Sequence, residues 1–424
     1  MPSFPDLPAR SPRFIAAFIV TALFFALGQF HRSSGSVLSS VFLEEFAVQP
    51  EQIGFVVGTL FIAQALGQIP AGVLIDRFGS RKTLTGMGLL AALGCLLVAE
   101  ATNLTMLLLG RALIGFGFSA GLIGSFKLFA GWVEPDRLAT LNGRYMSFGL
   151  LGGLLATTPL IMMLDRLGLR GVFMFFAVAT ALMAGVIAVV VRDKAPALKD
   201  MPADPAETLL EVIRGIRVLL LRRALWPLLM AAPLLYAPIQ ILVGLWVVPY
   251  LADIHGLSAL QRSYCLVSMV GGMSLGPLAY GYLDRRCQDR WQVIRRGALL
   301  VTIAFLALVL AGHVHWLLAT ALATLACGAS MFFVLLLTHV QQMFRSSHAG
   351  RVVSTFGVIA VTGIFITQTV SSVIMGFFPA PDMTASALGY RVLFGFMVLT
   401  SFTVYLLCLW FRRSIEPQQH CSPR

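Results

Sequence analysis

Charge is scarce in this 424-residue chain: Asp, Glu, Lys and Arg make up 12% of it, against 58% hydrophobic residues. Soluble domains carry about a quarter charged residues, so this chain lacks the polar surface to face water on all sides. Paired cysteines are lacking too. Cys95, Cys265, Cys287, Cys327, Cys408 and Cys421 are scattered without a CxxC, which argues against a disulfide framework or a cysteine metal site. Alternating segments of about ten residues between turns are missing, which argues against a β-barrel. No HExxH, P-loop or pair of intramembrane aspartates occurs. GFSAG at 117–121 reads as GxSxG, yet no strand precedes it and no His-Asp partners follow, so it is not a hydrolase elbow. No enzyme activity, metal or cofactor is expected.

Apolar sequence is abundant. Mean hydropathy is +0.85, and crossing the hydrocarbon takes about 20 apolar residues per helix. Windows of that length fall at 14–43, 52–76, 83–100, 104–132, 139–163, 172–191, 228–251, 259–283, 297–313, 316–344, 352–378 and 389–411. The first exceeds the apolar core of a signal peptide, about 7–15 residues, and lacks a clean cleavage site, so it reads as a span. Twelve spans predict an all-α polytopic membrane protein, with the lipid bilayer as its main partner. A sequon at Asn103 sits in a short outer loop against the membrane and implies little.

The net charge of +12 does not point to nucleic acid once its distribution is followed. Arg166, Arg170, Arg262 and Arg391 fall at outer span ends, and Arg32, Arg111 and Lys127 fall within spans. The other 24 Lys and Arg lie on the inner side if both termini are placed there. That asymmetry is the positive-inside rule, and it predicts a multi-pass protein of a bacterial inner membrane with cytoplasmic termini. A monomer is expected.

The longest polar interruption, 192–227, divides the spans six and six. Its second part opens with Asp204, Pro205 and Glu207, a helix start. Leu209, Leu210, Val212, Ile213, Ile216 and Leu219 then alternate with arginines, as in an amphipathic helix lying on the inner leaflet. The expected organisation is a six-helix bundle over 1–191, this linker, and a six-helix bundle with a short cytoplasmic tail over 228–424. The halves repeat weakly: QIPAGVLIDRFGSRK (68–82) and GPLAYGYLDRR (276–286) each put Asp-Arg where a helix exits to the cytoplasm, Asp76 and Asp284 lying 208 residues apart. Duplicated halves of this kind suggest a transporter with its site near the bilayer midplane.

Gly72, Leu74, Asp76, Arg77, Gly79, Arg81 and Lys82 match GxLxDRxGRRK, with a degenerate copy around Asp284 and Arg285, and RALIGFGFSAG (111–121) is an arginine followed by small residues. With the twelve spans and central linker, the chain resembles the major facilitator superfamily over nearly its whole length. The resemblance implies alternating access, in which the two halves rock about a central site. It also implies a gating role for Gly72, Asp76, Arg77, Gly79, Arg81, Asp284 and Arg285. Gly72 would let helices approach, and Asp76 would cap a helix of the opposite half near 351–354.

A charge within a span costs at least about 2.5–3.5 kcal/mol and marks function by default. If the first helix is continuous, Arg32 lies about 6 Å beyond its centre at 1.5 Å per residue. Gln29, Arg32, Ser33, Ser36 and Ser40 then share one face as a polar stripe toward a cavity. The alternative ends the helix at Phe30 and lets Arg32 snorkel outward. In organophosphate:phosphate antiporters, which this region resembles, a first-span arginine at a similar distance before the motif aspartate binds the substrate anion; here that distance is 44 residues. The second, seventh-span arginine of those antiporters is absent, Gln240 being the nearest polar residue, which favours a smaller charge such as a carboxylate.

Arg111 reads as a cavity or packing residue of the fourth span. Lys127 either lines the path or snorkels to the cytoplasm. All 19 acidic residues fall in loops or at helix ends, so no mid-membrane carboxylate is on hand to carry a proton. Coupling would use anion exchange on Arg32 or proton symport on a histidine, His31 or His339, each of which reads first as a packing residue. Gln240, Gln341, Gln342, Thr367 and Gln368 are the uncharged candidates of the second half, either contacting substrate or bonding a neighbouring helix. Trp246 and Tyr250 could pack on substrate or sit in the interface belt. The function expected is secondary active transport of a small anionic solute such as an organic acid. The alternatives are an exporter of drugs, siderophores or other amphiphiles, against which the disrupted fifth-span motif SFGLLGGLLATTPL argues, and a non-transporting receptor.

Overall fold

The computed structural model describes residues 11–133, 135–193, 226–287, 289–311, 315–336, 346–378 and 387–419. The expected linker helix at 204–223 and the candidates His339, Gln341 and Gln342 lie outside them. Helix dominates, and no strand occurs among the described residues. Among the described residues, ten helical stretches are long and apolar enough to cross a membrane. Large apolar side chains such as Leu66, Leu182, Val189, Leu310 and Phe377 point outward on them, as a lipid-facing surface requires.

The windows 52–76 and 83–100 are two helices that meet at Gly79, whose φ of 83° and ψ of 166° are not helical; the pair is called α3 (Ile53–Ala99) here. The window 139–163 is divided among α6 (Pro135–Leu150), α7 (Gly152–Leu155) and the start of α8 (Thr158–Val190), which bends at Gly168. The first window is interrupted as well. Helix α1 (Pro12–Ser33) stops at Ser34, and α2 (Gly35–Glu45) resumes immediately. Ser33, Ser34 and Gly35 are poor helix interior residues, two through competing hydroxyls and one through backbone freedom.

The chain groups into two compact units, Met1–Arg32 with Thr59–Val212 and Ser33–Gly58 with Ile213–Arg424. In the first, Tyr145 of α6 anchors the core. Its hydroxyl reaches the Thr21 and Gly121 carbonyls at 3.0 and 3.1 Å and Ser125 Oγ at 2.7 Å. The rings of Phe18, Phe25, Phe126 and Phe129 surround it. Asn103, the sequon residue, caps α4 (Leu104–Phe118) by accepting from the Met106 N–H at 2.9 Å, a sufficient structural reason for it.

In the second unit, the span Trp226–Asp253 is the most enclosed, 72% of its apolar window being buried. It carries a π turn at Leu242–Trp246 between Pro238 and Pro249. Such turns leave carbonyls short of an in-helix partner, and the Gln240 carbonyl accepts from Gln368 Nε2 at 3.0 Å. The start of α3 packs against the same region. A Cβ on Gly54 would strike the Gln368 carbonyl oxygen and Ser372 Oγ, so only glycine permits that approach.

Candidate functional site

Arg32 closes the N-terminal segment of the first unit and is the penultimate residue of α1. The helix does not end at Phe30: it runs to Ser33, and Ser34, between α1 and α2, keeps helical φ and ψ of −72° and −10°, its carbonyl accepting from the Leu38 N–H at 2.9 Å. Ser36 is fully buried in the second unit, its Oγ without a hydrogen-bond partner among the described residues, whereas Ser40 is exposed. Gln29 is half-buried on α1.

The Arg32 guanidinium is half-buried and held from α3. Its Nη1 donates to Gln64 Oε1 at 3.1 Å, and its Cζ lies 5.2 Å from the centroid of Phe61. Phe61 and Gln64 are three residues apart on one helix and so share a face. A cation over an aromatic ring and bonded to an amide oxygen is stabilised by both without losing its charge.

His31 turns elsewhere, about 100° around the helix from its neighbour. It is 3% exposed, ringed by Phe30, Phe118, Phe173 and Phe176, with Nε2 3.6 Å from Cys95 Sγ. The candidate proton or substrate residue is therefore packed in an aromatic pocket, away from the Arg32 guanidinium. Arg111, 2% exposed, lies in the same interior, near enough to interact electrostatically with His31. It is a core residue of the first unit.

Lys127, at the C-terminal end of α5 (Ala120–Ala130), pairs with Asp76. Its role beside Arg32 is not supported by this placement. Lys127→Gln is expected to leave the solute KM unchanged and stability within about 1 kcal/mol, since both partners are partly exposed. A raised KM in a flux assay would return Lys127 to the path.

Around the motif loop, Gly79 has φ +83°, and a Cβ there would strike Asp193. The Asp193 carboxylate accepts from the Arg81 backbone N–H at 2.9 Å, where the chain re-enters helix after the bend, and Arg81 Nε donates to the Ala188 carbonyl at 2.6 Å. Ser80 Oγ donates to the Gly124 carbonyl at 2.8 Å, and Trp132 Nε1 to the Arg192 carbonyl at 2.8 Å. Three helix ends are thus tied at one junction. Gly79→Ala is expected to cost about 1–2 kcal/mol for the left-handed backbone, before Asp193 is displaced. A thermal unfolding curve checks this, as a fall of a few degrees.

A Cβ on Gly72 would meet no described atom within 4 Å. Arg77 is exposed, 5.3 Å from the ring of Phe78. The second motif copy uses a different partner. Asp284 takes Arg290 in a two-pronged pair, Nε to Oδ1 and Nη2 to Oδ2, both at 2.7 Å. The side chains of Arg285 and of 351–354, the expected cap for Asp76, lie outside the described residues.

In the second unit, Gln240, Trp246 and Gln368 come together. Trp246 Nε1 donates to Ser371 Oγ at 2.9 Å, while Gln368 Oε1 has no hydrogen-bond partner among the described residues. Thr367 donates to the Gly363 carbonyl of its own helix at 2.7 Å. Trp246 and Tyr250 are buried, not in an interface belt; Tyr250 packs against Tyr390, Phe394 and His255.

Sequence reasoning missed Gln64, Asp193 and Ser371. Gln64 had a visible signal, an amide inside the apolar run FIAQALGQI. Asp193 had none, because it stands among ordinary charges at a helix exit.

Residues 13–368 match the Major Facilitator Superfamily. The chain is 25% identical to the hexuronate transporter of Bacillus subtilis, over 83% of this chain and 88% of that one. It is 22% identical to a probable sulfoacetate transporter of Cupriavidus necator, over 84% and 85%. A putative uncharacterized transporter of Escherichia coli, YgaY, is 37% identical, over about a third of each chain. Among solved structures, a bacterial homolog of the human lysosomal transporter Spinster, inward-facing and occupied, aligns with TM-score 0.77 and 15% identity, over 98% of this chain and 100% of that one. The multi-pass helical fold, the motif loop bent at Gly79 and this match over most of the chain agree: the protein is a transporter of the Major Facilitator Superfamily.

Proposed function

We propose that the protein carries a small anionic solute, an organic acid or a comparable ion, across a bacterial inner membrane by alternating access. Arg32 is the anion contact. The observation that carries this reading is the guanidinium of Arg32 on a membrane-spanning helix, half-buried and held by an amide oxygen and an aromatic face. A charge kept at that depth is expensive unless an anion meets it during the cycle. The hexuronate and sulfoacetate transporters among its relatives support a carboxylate- or sulfonate-sized solute. The excess of Lys and Arg on one side supports cytoplasmic termini. With the acidic residues at loops and helix ends, exchange of anions on Arg32 is the simplest coupling; proton symport is the other.

A binding screen of carboxylates, sulfonates, phosphates, nitrate and cationic drugs, run on the purified protein and on Arg32→Gln, tests the reading. An anion hit that vanishes in the variant is expected. A cationic hit that survives it would make the protein an exporter of amphiphiles.

A further inference from the structure

Gln64 is the residue whose polarity Arg32 fixes. An arginine has only donors, so the amide must turn its oxygen to the guanidinium, as the 3.1 Å contact from Nη1 to Oε1 has it. That leaves the Gln64 Nε2 amino group, another donor, as the amide's remaining polar group. The residue is 8% exposed and shares its helical face with Phe61, whose ring lies 5.2 Å from Arg32 Cζ. The amide restrains one edge of the guanidinium, and the ring restrains its plane.

We propose that Gln64, with Phe61, is a positioning residue that sets the orientation of Arg32 and thereby the preference of this part of the site among anions. The inference rests on Arg32 as the anion contact. A planar fork held in one orientation favours anions with two coplanar oxygens, which a freely rotating side chain would bind less selectively. The choice of amide over carboxylate at position 64 follows. Glutamate has the same shape, but its charge would pair with Arg32 and compete with the solute.

The test uses D-glucarate, D-galacturonate, sulfoacetate and nitrate as probes, with full-length protein in proteoliposomes. Gln64→Met keeps the volume and removes the acceptor. It is expected to raise KM about 10-fold for whichever probes the wild type takes up, the loss of one hydrogen bond to a charged group, with kcat changed less than about 2-fold. Gln64→Glu is expected to raise KM more than about 100-fold. A residue that merely packs would tolerate methionine and show its loss in the yield of folded protein, not in KM. Wild-type KM in Gln64→Met overturns the inference even if the glutamate variant fails to fold, and wild-type KM in Gln64→Glu overturns it as well. Arg32→Gln separates the two levels: loss of uptake there with normal KM in Gln64→Met removes Gln64 and leaves the anion site. Wild-type uptake in Arg32→Gln, or uptake of none of the probes by the wild type, overturns both.

Discussion

Arg32→Gln is expected to lower anion affinity by two orders of magnitude or more while leaving thermal stability nearly unchanged. Breaking a desolvated, hydrogen-bonded charge contact costs about 2–5 kcal/mol, or roughly 30-fold to several thousand-fold in binding. Folding should not suffer in proportion. Glutamine at position 32 can bond Gln64 in place of the guanidinium without burying a charge. Arg32→Lys separates charge from geometry. The ammonium keeps the attraction but loses the planar fork, so affinity is expected to fall about 10-fold. Isothermal titration on detergent-purified protein measures both. A glutamine variant that binds like the wild type would show that Arg32 is a snorkelling residue.

Gly54→Val is expected to abolish transport through a different route. Position 54 belongs to the first turn of α3, which packs within the second unit against the helix carrying Gln368. A Cβ would meet the Gln368 carbonyl oxygen, and the carbonyl carbon at 2.8 Å, so the obstacle is backbone and cannot rotate aside. Overpacking of this kind costs about 1–3 kcal/mol, occasionally more. It also disturbs the Gln368 amide that serves the Gln240 carbonyl beside the π turn. Loss of flux in membranes that still contain full-length protein, with a lowered unfolding temperature, is the expected outcome. Alanine should do less harm than valine but remain clearly impaired, because its Cβ meets the same two atoms.

Much of the fold was legible because membrane solvation imposes a simple code. Backbone polar groups must be satisfied within each segment, so apolar windows of sufficient length become helices. What that code does not record is where one helix ends and another begins. The windows 52–76 and 83–100 are two helices, as expected, but the point that parts them is a single left-handed glycine, Gly79 at φ +83°, rather than a polar gap. The interruption at Ser34 is quieter still, since its φ of −72° and ψ of −10° stay in the helical region. Arg32 and Gln368 were visible as polar residues in apolar runs. Their partners were not, because the contacts span 32 and 128 residues of sequence. Lys127 illustrates the limit best. Its depth was ambiguous from spacing alone, and only folding could bring it 51 residues back to Asp76. His31 was a similar case, since an imidazole next to an arginine looks functional until four rings close around it.

The central claim, anion transport through Arg32, is tested most directly by flux into proteoliposomes. Wild-type protein and Arg32→Gln, reconstituted at equal density, are loaded with unlabelled D-glucarate, D-galacturonate or sulfoacetate, and entry of the labelled solute is followed in time. Accumulation of at least one anion by the wild type and none above empty vesicles by Arg32→Gln is the predicted result. Equal accumulation by both proteins, or uptake confined to neutral or cationic solutes tested alongside, would contradict it.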